Sequence, residues 1–234
     1  MKNDKRLGRA KAIVLLSGGP DSATTLYYAR DKGFLCECLS FDYGQRHSRE
    51  LDSAKRIAKS AGCGHRVMKI SLPWKGSSLL DKNIKIRGAK GRRALAGNSI
   101  PDTYVPGRNI IFLSFALSFA EAIKAKAIFI GANAVDYSGY PDCRPAFYTA
   151  FGSVIRTGTK CGVEKMPVKI MTPLINKTKA GIVELGSRLQ VPFELTWSCY
   201  AGGLNPCGRC DSCFYRSKGF IEAGIPDPLF IQEV

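Results

Sequence analysis

Residues 15–26 read LLSGGPDSATTL, where a change in residue pattern marks the junction of two secondary-structure elements. The segment just before it, Ala12 to Leu16, is rich in Ile, Val and Leu, a pattern typical of a strand buried on both faces. From Ser22 to Lys32 the positions of Leu26 and Ala29 predict a helix instead. The glycines and serines between these two segments therefore lie where a buried strand ends and a helix begins.

This junction has the composition of an anion-binding site. Gly18 and Gly19 can take backbone angles closed to other residues and let amide groups approach a ligand. The N-terminus of the following helix attracts anions, and Ser17 and Ser22 add hydroxyl donors. The alternative is an ordinary turn in which Asp21 or Ser22 caps the helix. The stretch lacks the lysine of the usual phosphate loop and the third glycine of the dinucleotide fingerprint.

Alternating strands and helices continue along the chain. Apolar patterns predict strands over 35–41, 67–70 and 127–130 and helices over 48–61 and 110–122, with a basic, glycine-dotted loop over 75–99. Such alternation predicts an α/β fold with a parallel sheet covered by helices on both faces. In folds of this kind, ligands bind beyond the carboxyl ends of the strands.

Composition narrows the class of protein further. The chain has 234 residues and a formal net charge of +16, which favours anionic partners such as nucleotides, phosphates or RNA. Apolar stretches such as 110–120 are shorter than the roughly 20 residues that span a bilayer. Residues 1–12 have no apolar core of a secretory signal, so we expect a cytoplasmic protein.

Four of the nine cysteines form a second motif, SCYAGGLNPCGRCDSC, over 198–213. Cys199, Cys207, Cys210 and Cys213 are separated by seven, two and two residues. Four thiolates in overlapping Cys-x-x-Cys steps suit tetrahedral zinc, and a site filled by four protein ligands is structural. The alternatives are an iron–sulfur cluster and a redox pair with two bystander thiols.

Several motifs together resemble a known family. SGGPDS resembles the pyrophosphate-binding motif of the PP-loop ATP pyrophosphatases, commonly written SGGxDS. Followed in order by FDYGQRH, VPGRN, DYSGYPDCR, TWSCY and PCGRCDSC, it makes the chain similar to the 7-cyano-7-deazaguanine synthase (QueC) family from about Lys11 to Pro228. Members convert 7-carboxy-7-deazaguanine, ammonia and ATP into a nitrile, in the synthesis of a queuosine precursor. The path runs through an adenylated carboxylate, an amide and an adenylated amide.

The resemblance implies a domain organisation and a nucleotide site. We expect a Rossmann-like PP-loop nucleotide-binding domain over 11–190 and a helical zinc-binding subdomain over 191–234. Asp21 would organise Mg²⁺ on the phosphates of ATP. Arg108, beside Asn109, and Lys179 would surround the phosphates and the activated carboxyl group. The residues expected to bind ATP are Leu16, Ser17, Gly18, Gly19, Pro20, Asp21, Ser22, Ala23, Thr24, Thr25 and Leu26.

Candidate substrate residues lie in GANAVDYSGYPDCRPAF, over 131–147. Tyr137, Asp142 and Arg144 would recognise the planar base, with Asp142 accepting from its amino and ring N–H groups. The alternative for all three is a well-bonded loop. Cys143 is interpreted as a small buried thiol, because the reaction needs no covalent enzyme intermediate. Arg108 and Asn109 are alternatively helix-start contacts, and Lys179 is alternatively a surface lysine.

The source of nitrogen and the assembly state also follow from the resemblance. Many amide-forming relatives release ammonia from glutamine with a nucleophilic N-terminal cysteine, but residue 2 is lysine here. We therefore expect free ammonia or a separate partner that supplies it. The resemblance also implies a homodimer, to which the apolar tail FIEAGIPDPLF could contribute.

Two features depart from the family pattern. Gly181 stands where the family commonly carries glutamate, which puts a catalytic carboxylate there in doubt. The basic run from Lys85 to Arg93 exceeds what a small anionic substrate requires. It favours one alternative, a PP-loop enzyme that thiolates or amidates tRNA, with Cys143 and Cys161 as its available thiols. The other alternative is a non-catalytic zinc module that binds nucleotide or proteins.

Overall fold

A five-stranded parallel sheet forms the centre of the molecule. The structure is a computed structural model, and it describes residues 10–74, 76–81, 83–84, 100–135 and 140–230. The strands lie in the order β3-β2-β1-β4-β5. Their bounds are Lys11–Leu15 (β1), Leu35–Asp42 (β2), Gly64–Lys69 (β3), Ala127–Ile130 (β4) and Lys169–Met171 (β5). The predicted α/β class with a parallel sheet is confirmed.

Helices connect the strands and continue beyond the last one. They are Pro20–Asp31 (α1), Arg49–Ser60 (α2), Arg108–Ala122 (α3), Pro145–Gly158 (α4), Lys160–Val163 (α5), Lys179–Arg188 (α6) and Asp211–Glu222 (α7). Short 3₁₀ turns cover Pro141–Cys143 and Phe193–Leu195. The strands and helices predicted from the sequence are all present, with ends that differ by at most three residues. The segment 85–99, which holds the basic run, lies outside the described residues.

The apolar run of the first strand is buried on both sides of the sheet. Ile13 and Leu15 pack into one core cluster with Leu113 of α3. Val14 packs into the opposite cluster with Leu26 of α1. Because successive side chains of a strand point to opposite faces, a strand covered by helices on both sides needs apolar residues at every position. This explains why the sequence of β1 does not alternate with polar residues.

The strand order determines where a ligand can bind. The chain runs outward from β1 to β3 on one side and through β4 to β5 on the other. The order reverses between β1 and β4, and a crevice opens at the carboxyl ends of the two strands that flank such a point. The segment SGGPDS follows β1 there, and Gly131 follows β4.

The C-terminal segment packs against the sheet domain. Arg216 of α7 donates two hydrogen bonds to the carboxylate of Asp227, at 2.7 and 2.8 Å, and one to Thr196 Oγ1 at 2.8 Å. The backbone N–H of Trp197 donates to the carbonyl of Gly18 over 2.9 Å, which joins this segment to the SGGPDS loop. The division at 190/191 stays a prediction. Within the described residues, no helix is both long and apolar enough to cross a bilayer.

Candidate active site

The SGGPDS loop packs tightly against α2. Gly18 has φ +89°, and a Cβ atom built on it would lie 2.1 Å from the carbonyl oxygen of Glu50. Glycine is therefore the only residue type that fits both the φ angle at position 18 and the space beside the Glu50 carbonyl. Gly19 instead has φ −81° and ψ 167°, which any residue adopts. Of the two glycines that can take backbone angles closed to other residues, only Gly18 does so.

Two serines close the loop on itself. Ser22 Oγ accepts hydrogen bonds from the Ser17 backbone N–H at 3.2 Å and the Ser17 hydroxyl at 3.1 Å. Ser22 Oγ donates in turn to the Gly19 carbonyl at 3.0 Å. The N-cap of α1 is Gly19, and no side chain caps the helix. The alternative of an ordinary turn capped by Asp21 or Ser22 is therefore not what the structure contains.

Asp21 and Lys179 form an ion pair at the mouth of this loop. Lys179 Nζ lies 2.5 Å from Asp21 Oδ2, and both side chains are partly buried. Lys179 is the first residue of α6, after the N-cap Thr178. A Cβ atom on Gly219 would lie 2.9 Å from Lys179 Cβ, so α7 packs closely on this position. Helices α6 and α7, both far from the loop in the sequence, thus hold Lys179 against the loop.

A cavity of about 340 Å³ opens at the carboxyl ends of β1 and β4. This volume lies within the usual range of small-molecule sites. The predicted residues that line it are Leu16, Ser17, Gly19, Pro20, Asp21, Ser22, Arg108, Asn109, Cys143 and Lys179. Ala23, Thr24, Thr25 and Leu26 are buried in α1 behind the wall, so their assignment to ATP binding stays a prediction.

Charged and aromatic side chains form another part of the cavity wall. Arg108 begins α3, and its positive charge acts on Tyr43, Glu50 and Asp142. Burial raises the pKa of Glu50 to about 7, although Arg108 opposes this shift. Phe112, one turn after Arg108, stacks on Phe41 with ring centroids 3.9 Å apart and an interplanar angle of 3°. The wall therefore offers a fixed positive charge, a carboxyl group with a pKa of about 7 and a flat apolar surface.

The predicted base-recognition residues lie in different places. Asp142 is buried, and its Oδ2 accepts the backbone N–H of Asn109 at 3.1 Å. Burial raises the pKa of its carboxyl group. Arg144 is exposed at the start of α4, and Tyr137 lies outside the described residues. Their roles in recognising the base stay predictions.

Cys143 lines the cavity as a protonated thiol. Its pKa is raised to about 11, first by burial and then by the neighbouring charge of Asp142. Its sulfur accepts a hydrogen bond from Asn109 Nδ2 at 3.4 Å. A thiol with a raised pKa is a poor nucleophile, which supports the prediction that Cys143 is not a nucleophile. It is half-buried at the cavity rather than fully buried as predicted.

Several residues that line the cavity are not predicted from the sequence. Glu50, Tyr43, Trp197 and Tyr200 all line the main cavity. Glu50 and Tyr43 lie in SFDYGQRHSRE, a segment whose density of polar side chains after a strand marks a ligand loop but does not show which residue points inward. Trp197 and Tyr200 reach the cavity only through the packing of the C-terminal segment.

The four clustered cysteines converge as predicted. Their sulfur atoms lie within 4.8 Å of one another, and Cys207 Sγ is 4.0 Å from Cys213 Sγ. Sulfurs about 2.3 Å from a tetrahedral zinc ion are about 3.8 Å apart, so the arrangement fits zinc. Hydrogen bonds from the Cys210 and Cys213 thiols hold the pKa of Cys199 below its usual value, which favours the thiolate that binds metal.

The family profile described as "Queuosine biosynthesis protein QueC" matches residues 11–224. The chain belongs to the QueC family. The match includes the SGGPDS loop, Arg108, Lys179 and all four clustered cysteines. The resemblance stated from the motifs is confirmed.

Curated relatives of the QueC family align over nearly the whole chain. A 7-cyano-7-deazaguanine synthase of Nostoc sp. is 54% identical over 221 residues, which cover 94% of this chain and 96% of that protein. The protein of the same name from Acetivibrio thermocellus is 53% identical over 224 residues, covering 95% and 98%. That from Anaeromyxobacter sp. is 51% identical over 228 residues, covering 95% and 97%.

Solved structures with a similar chain path are more distant. The NMN synthetase of Francisella tularensis is 15% identical with a TM-score of 0.47, covering 93% of this chain and 78% of that chain. A 4-thiouridine synthetase in complex with RNA and bound ATP is 20% identical with a TM-score of 0.49, covering 92% and 50%.

Proposed function

We propose that this chain is an ATP-dependent 7-cyano-7-deazaguanine synthase, which converts 7-carboxy-7-deazaguanine and ammonia into the nitrile during queuosine precursor synthesis. Membership of the QueC family over residues 11–224 carries the proposal. Relatives of that name at 51–54% identity support it. The cavity lined by the SGGPDS loop, Lys179 and Arg108 supports it as well.

The chemistry requires one site to activate an oxygen atom twice. A carboxylate is a poor electrophile, because its oxygen is a poor leaving group. Attack of that oxygen on the α-phosphorus of ATP releases pyrophosphate and gives an acyl adenylate, from which ammonia displaces AMP to form the amide. A second ATP activates the amide oxygen in the same way, and loss of AMP together with both protons of the amide nitrogen then gives the nitrile.

The SGGPDS loop is suited to hold the leaving pyrophosphate. The N-terminus of α1 has no side-chain cap, so its N–H groups and positive dipole end are directed at the ligand. Lys179 places a positive charge beside the same loop, where negative charge grows as pyrophosphate leaves. Arg108, which also lines the cavity, is suited to bind the carboxylate that is activated.

Mg²⁺ and the base would use other residues around the cavity. Asp21 is the hard oxygen ligand that would hold Mg²⁺, and that ion supplies charge neutralisation on the phosphates of ATP. Tyr137, Asp142 and Arg144 remain our candidates for recognising the base. The stacked Phe112, which faces the cavity, supports a planar ligand on this wall.

The cysteine cluster is proposed to bind one structural zinc ion. All four positions are filled by protein sulfur, so the site leaves no open position for a reacting ligand. The zinc-binding subdomain would comprise residues 191–234, and the PP-loop domain would comprise 11–190.

We place the protein in the cytoplasm as a homodimer. Exposed apolar side chains in the C-terminal segment, Ile221 and Phe230, support a surface that another copy covers. Light scattering coupled to size exclusion measures the mass directly, and a monomer at micromolar concentration would contradict the dimer.

The experiment that tests the function is mass spectrometry of a reaction with purified protein, Mg²⁺, ATP, ammonium and 7-carboxy-7-deazaguanine. We expect the amide and then the nitrile, with AMP formed in step. Asp21→Ala is expected to yield neither product, because it removes the metal ligand and the partner of Lys179. Folded, zinc-loaded protein that makes no product but binds tRNA with a steep salt dependence would instead support action on tRNA.

A further inference from the structure

A small chamber adjoins the main cavity. Its volume is about 70 Å³. Six of its nine lining residues also line the main cavity, among them Glu50, Arg108 and Tyr43. The other three, Arg46, His47 and Leu79, line the chamber but not the main cavity. The two spaces therefore share a wall that carries the charged groups.

The size of the chamber limits what can occupy it. A single water molecule needs about 10–15 Å³ of such space. The chamber holds a few molecules of that size and is far too small for a nucleotide or a deazapurine. Ammonia has nearly the size of water, so it is the reactant of the proposed function that matches this volume.

Glu50 supplies the polar chemistry of the shared wall. Within the described residues, the charged groups that act on the Glu50 carboxylate are Arg108 and Cys199. None of these residues forms a hydrogen bond to the carboxylate. A half-buried acceptor without a hydrogen bond is costly unless a ligand or water uses it. Arg108 on the same wall disfavours the ammonium ion and favours uncharged ammonia, the form with a nucleophilic lone pair.

We propose that this chamber is the ammonia subsite and that Glu50 orients the nitrogen and receives its proton; the inference rests on the proposed function. The lone pair of ammonia forms the new C–N bond at the adenylated carboxyl carbon. The C–O bond to AMP breaks, and AMP leaves with that electron pair. The nitrogen loses one proton to the Glu50 carboxylate, so the amide forms without net charge.

The test separates the ammonia step from the activation step. ATP–pyrophosphate exchange that depends on 7-carboxy-7-deazaguanine reports activation in the absence of ammonia. Nitrile formation at varied ammonium concentration reports use of ammonia. Glu50→Gln is the test variant, and Glu184→Gln, on the exposed face of α6, is the matched control.

For Glu50→Gln we expect KM for ammonium to rise about tenfold or more, the loss that follows from removing a charged hydrogen-bond partner. Exchange is expected to stay within about twofold of wild type, since activation does not use Glu50. Glu184→Gln is expected to change neither quantity. Loss of exchange in Glu50→Gln would place Glu50 in activation and overturn the subsite.

A second variant tests the chamber itself. Leu79 is buried and lines the chamber but not the main cavity. Leu79→Ala enlarges the space, and the use of methylamine relative to ammonia is expected to increase about tenfold, because the vacated space accommodates one methyl group. Unchanged selectivity in Leu79→Ala, together with an unchanged KM for ammonium in Glu50→Gln, would refute the proposal. Absence of exchange in the wild-type protein would refute the proposed function itself, and the subsite with it.

Discussion

The contact between Asp21 and Lys179 joins residues that are 158 positions apart in the chain. Each is partly buried, and each carries a charge that the other partly offsets. Neither has a local sequence context that requires this pairing. The packing of α6 and α7 therefore places the positive charge of Lys179 beside the negative charge of Asp21. The effects of substitutions near the loop depend on that packing.

Gly18 is the most restricted residue of the SGGPDS loop. Gly18→Ala is expected to destabilise the protein by about 2 kcal/mol or more and to abolish ATP–pyrophosphate exchange, because both φ and the Glu50 carbonyl exclude a Cβ atom. Gly33→Ala is the control: it has φ +83° but nothing within 4 Å, so it is expected to cost only about 1 kcal/mol. Urea unfolding measures both, and equal costs would contradict the clash.

Glu50 is expected to make stability depend on pH. Burial raises its pKa from 4.5 to about 7, so the folded protein binds more protons than the unfolded chain between these values. Stability is then lost as pH rises through this window. Glu50→Gln is expected to be about 1–2 kcal/mol more stable than wild type near pH 8, with the difference vanishing near pH 4.5. Thermal unfolding of the zinc-loaded proteins measures this, and a less stable variant at the higher pH would contradict it.

Among elements, the sequence predicts some far better than others. β1 is predictable because burial on both faces requires a continuous apolar run. α2 is predictable because burial on one face leaves a helical apolar period, as in Ala54, Ile57 and Ala58. β5 has three residues, too few to show any period. The inward position of Glu50 is also not predictable, since it depends on how α2 packs on Gly18 rather than on a local pattern.

Helix α6 carries two glycines in different surroundings. Gly181→Ala is expected to stabilise the protein by up to about 1 kcal/mol, because a new Cβ would lie 3.4 Å from Thr178 Oγ1 without a backbone conflict. Gly186→Ala is expected to destabilise it, because its Cβ would lie 2.4 Å from the Phe193 ring. Thermal unfolding compares the two, and a shift of the same sign in both would contradict this account.

At the scale of the whole molecule, the cysteine cluster supports the nucleotide site. The Trp197 indole N–H donates to the Cys199 carbonyl at 3.0 Å, and the Trp197 backbone N–H donates to the Gly18 carbonyl at 2.9 Å. Trp197 thus links the cysteine cluster directly to the SGGPDS loop. Fold and cluster could be predicted from the sequence, but this connection could not, because it depends on contacts between distant segments.

Removal of the proposed zinc ion is expected to weaken ATP binding as well as stability. A chelator is expected to lower the unfolding temperature, change tryptophan fluorescence through Trp197 and raise the Kd for ATP, because the loop loses a backbone partner. Cys207→Ala is expected to behave in the same way, whereas Cys161→Ser, outside the cluster, is expected to keep its zinc. Metal analysis and ATP titration test this, and full affinity in zinc-free protein would contradict the connection.

The ion pair of Arg216 and Asp227 fixes the end of the chain. Both side chains are almost completely buried, so Asp227→Ala leaves an unpaired guanidinium and is expected to cost about 3–5 kcal/mol. Lys218→Ala, a half-exposed position of the same helix, is expected to cost less than about 1 kcal/mol. Chemical denaturation distinguishes these outcomes, and similar small costs would show that the pair contributes little.

The hydrogen bond between Trp197 and Gly18 also has a consequence for synthesis on the ribosome. The loop at the start of the chain gains this partner only after residue 197 has been made, and Lys179 only slightly earlier. Contacts between such distant residues form late because a long stretch of chain must first be ordered. A nascent chain that has completed its first four strands therefore still lacks a finished phosphate site, and the enzyme gains the ability to use ATP only near the end of translation.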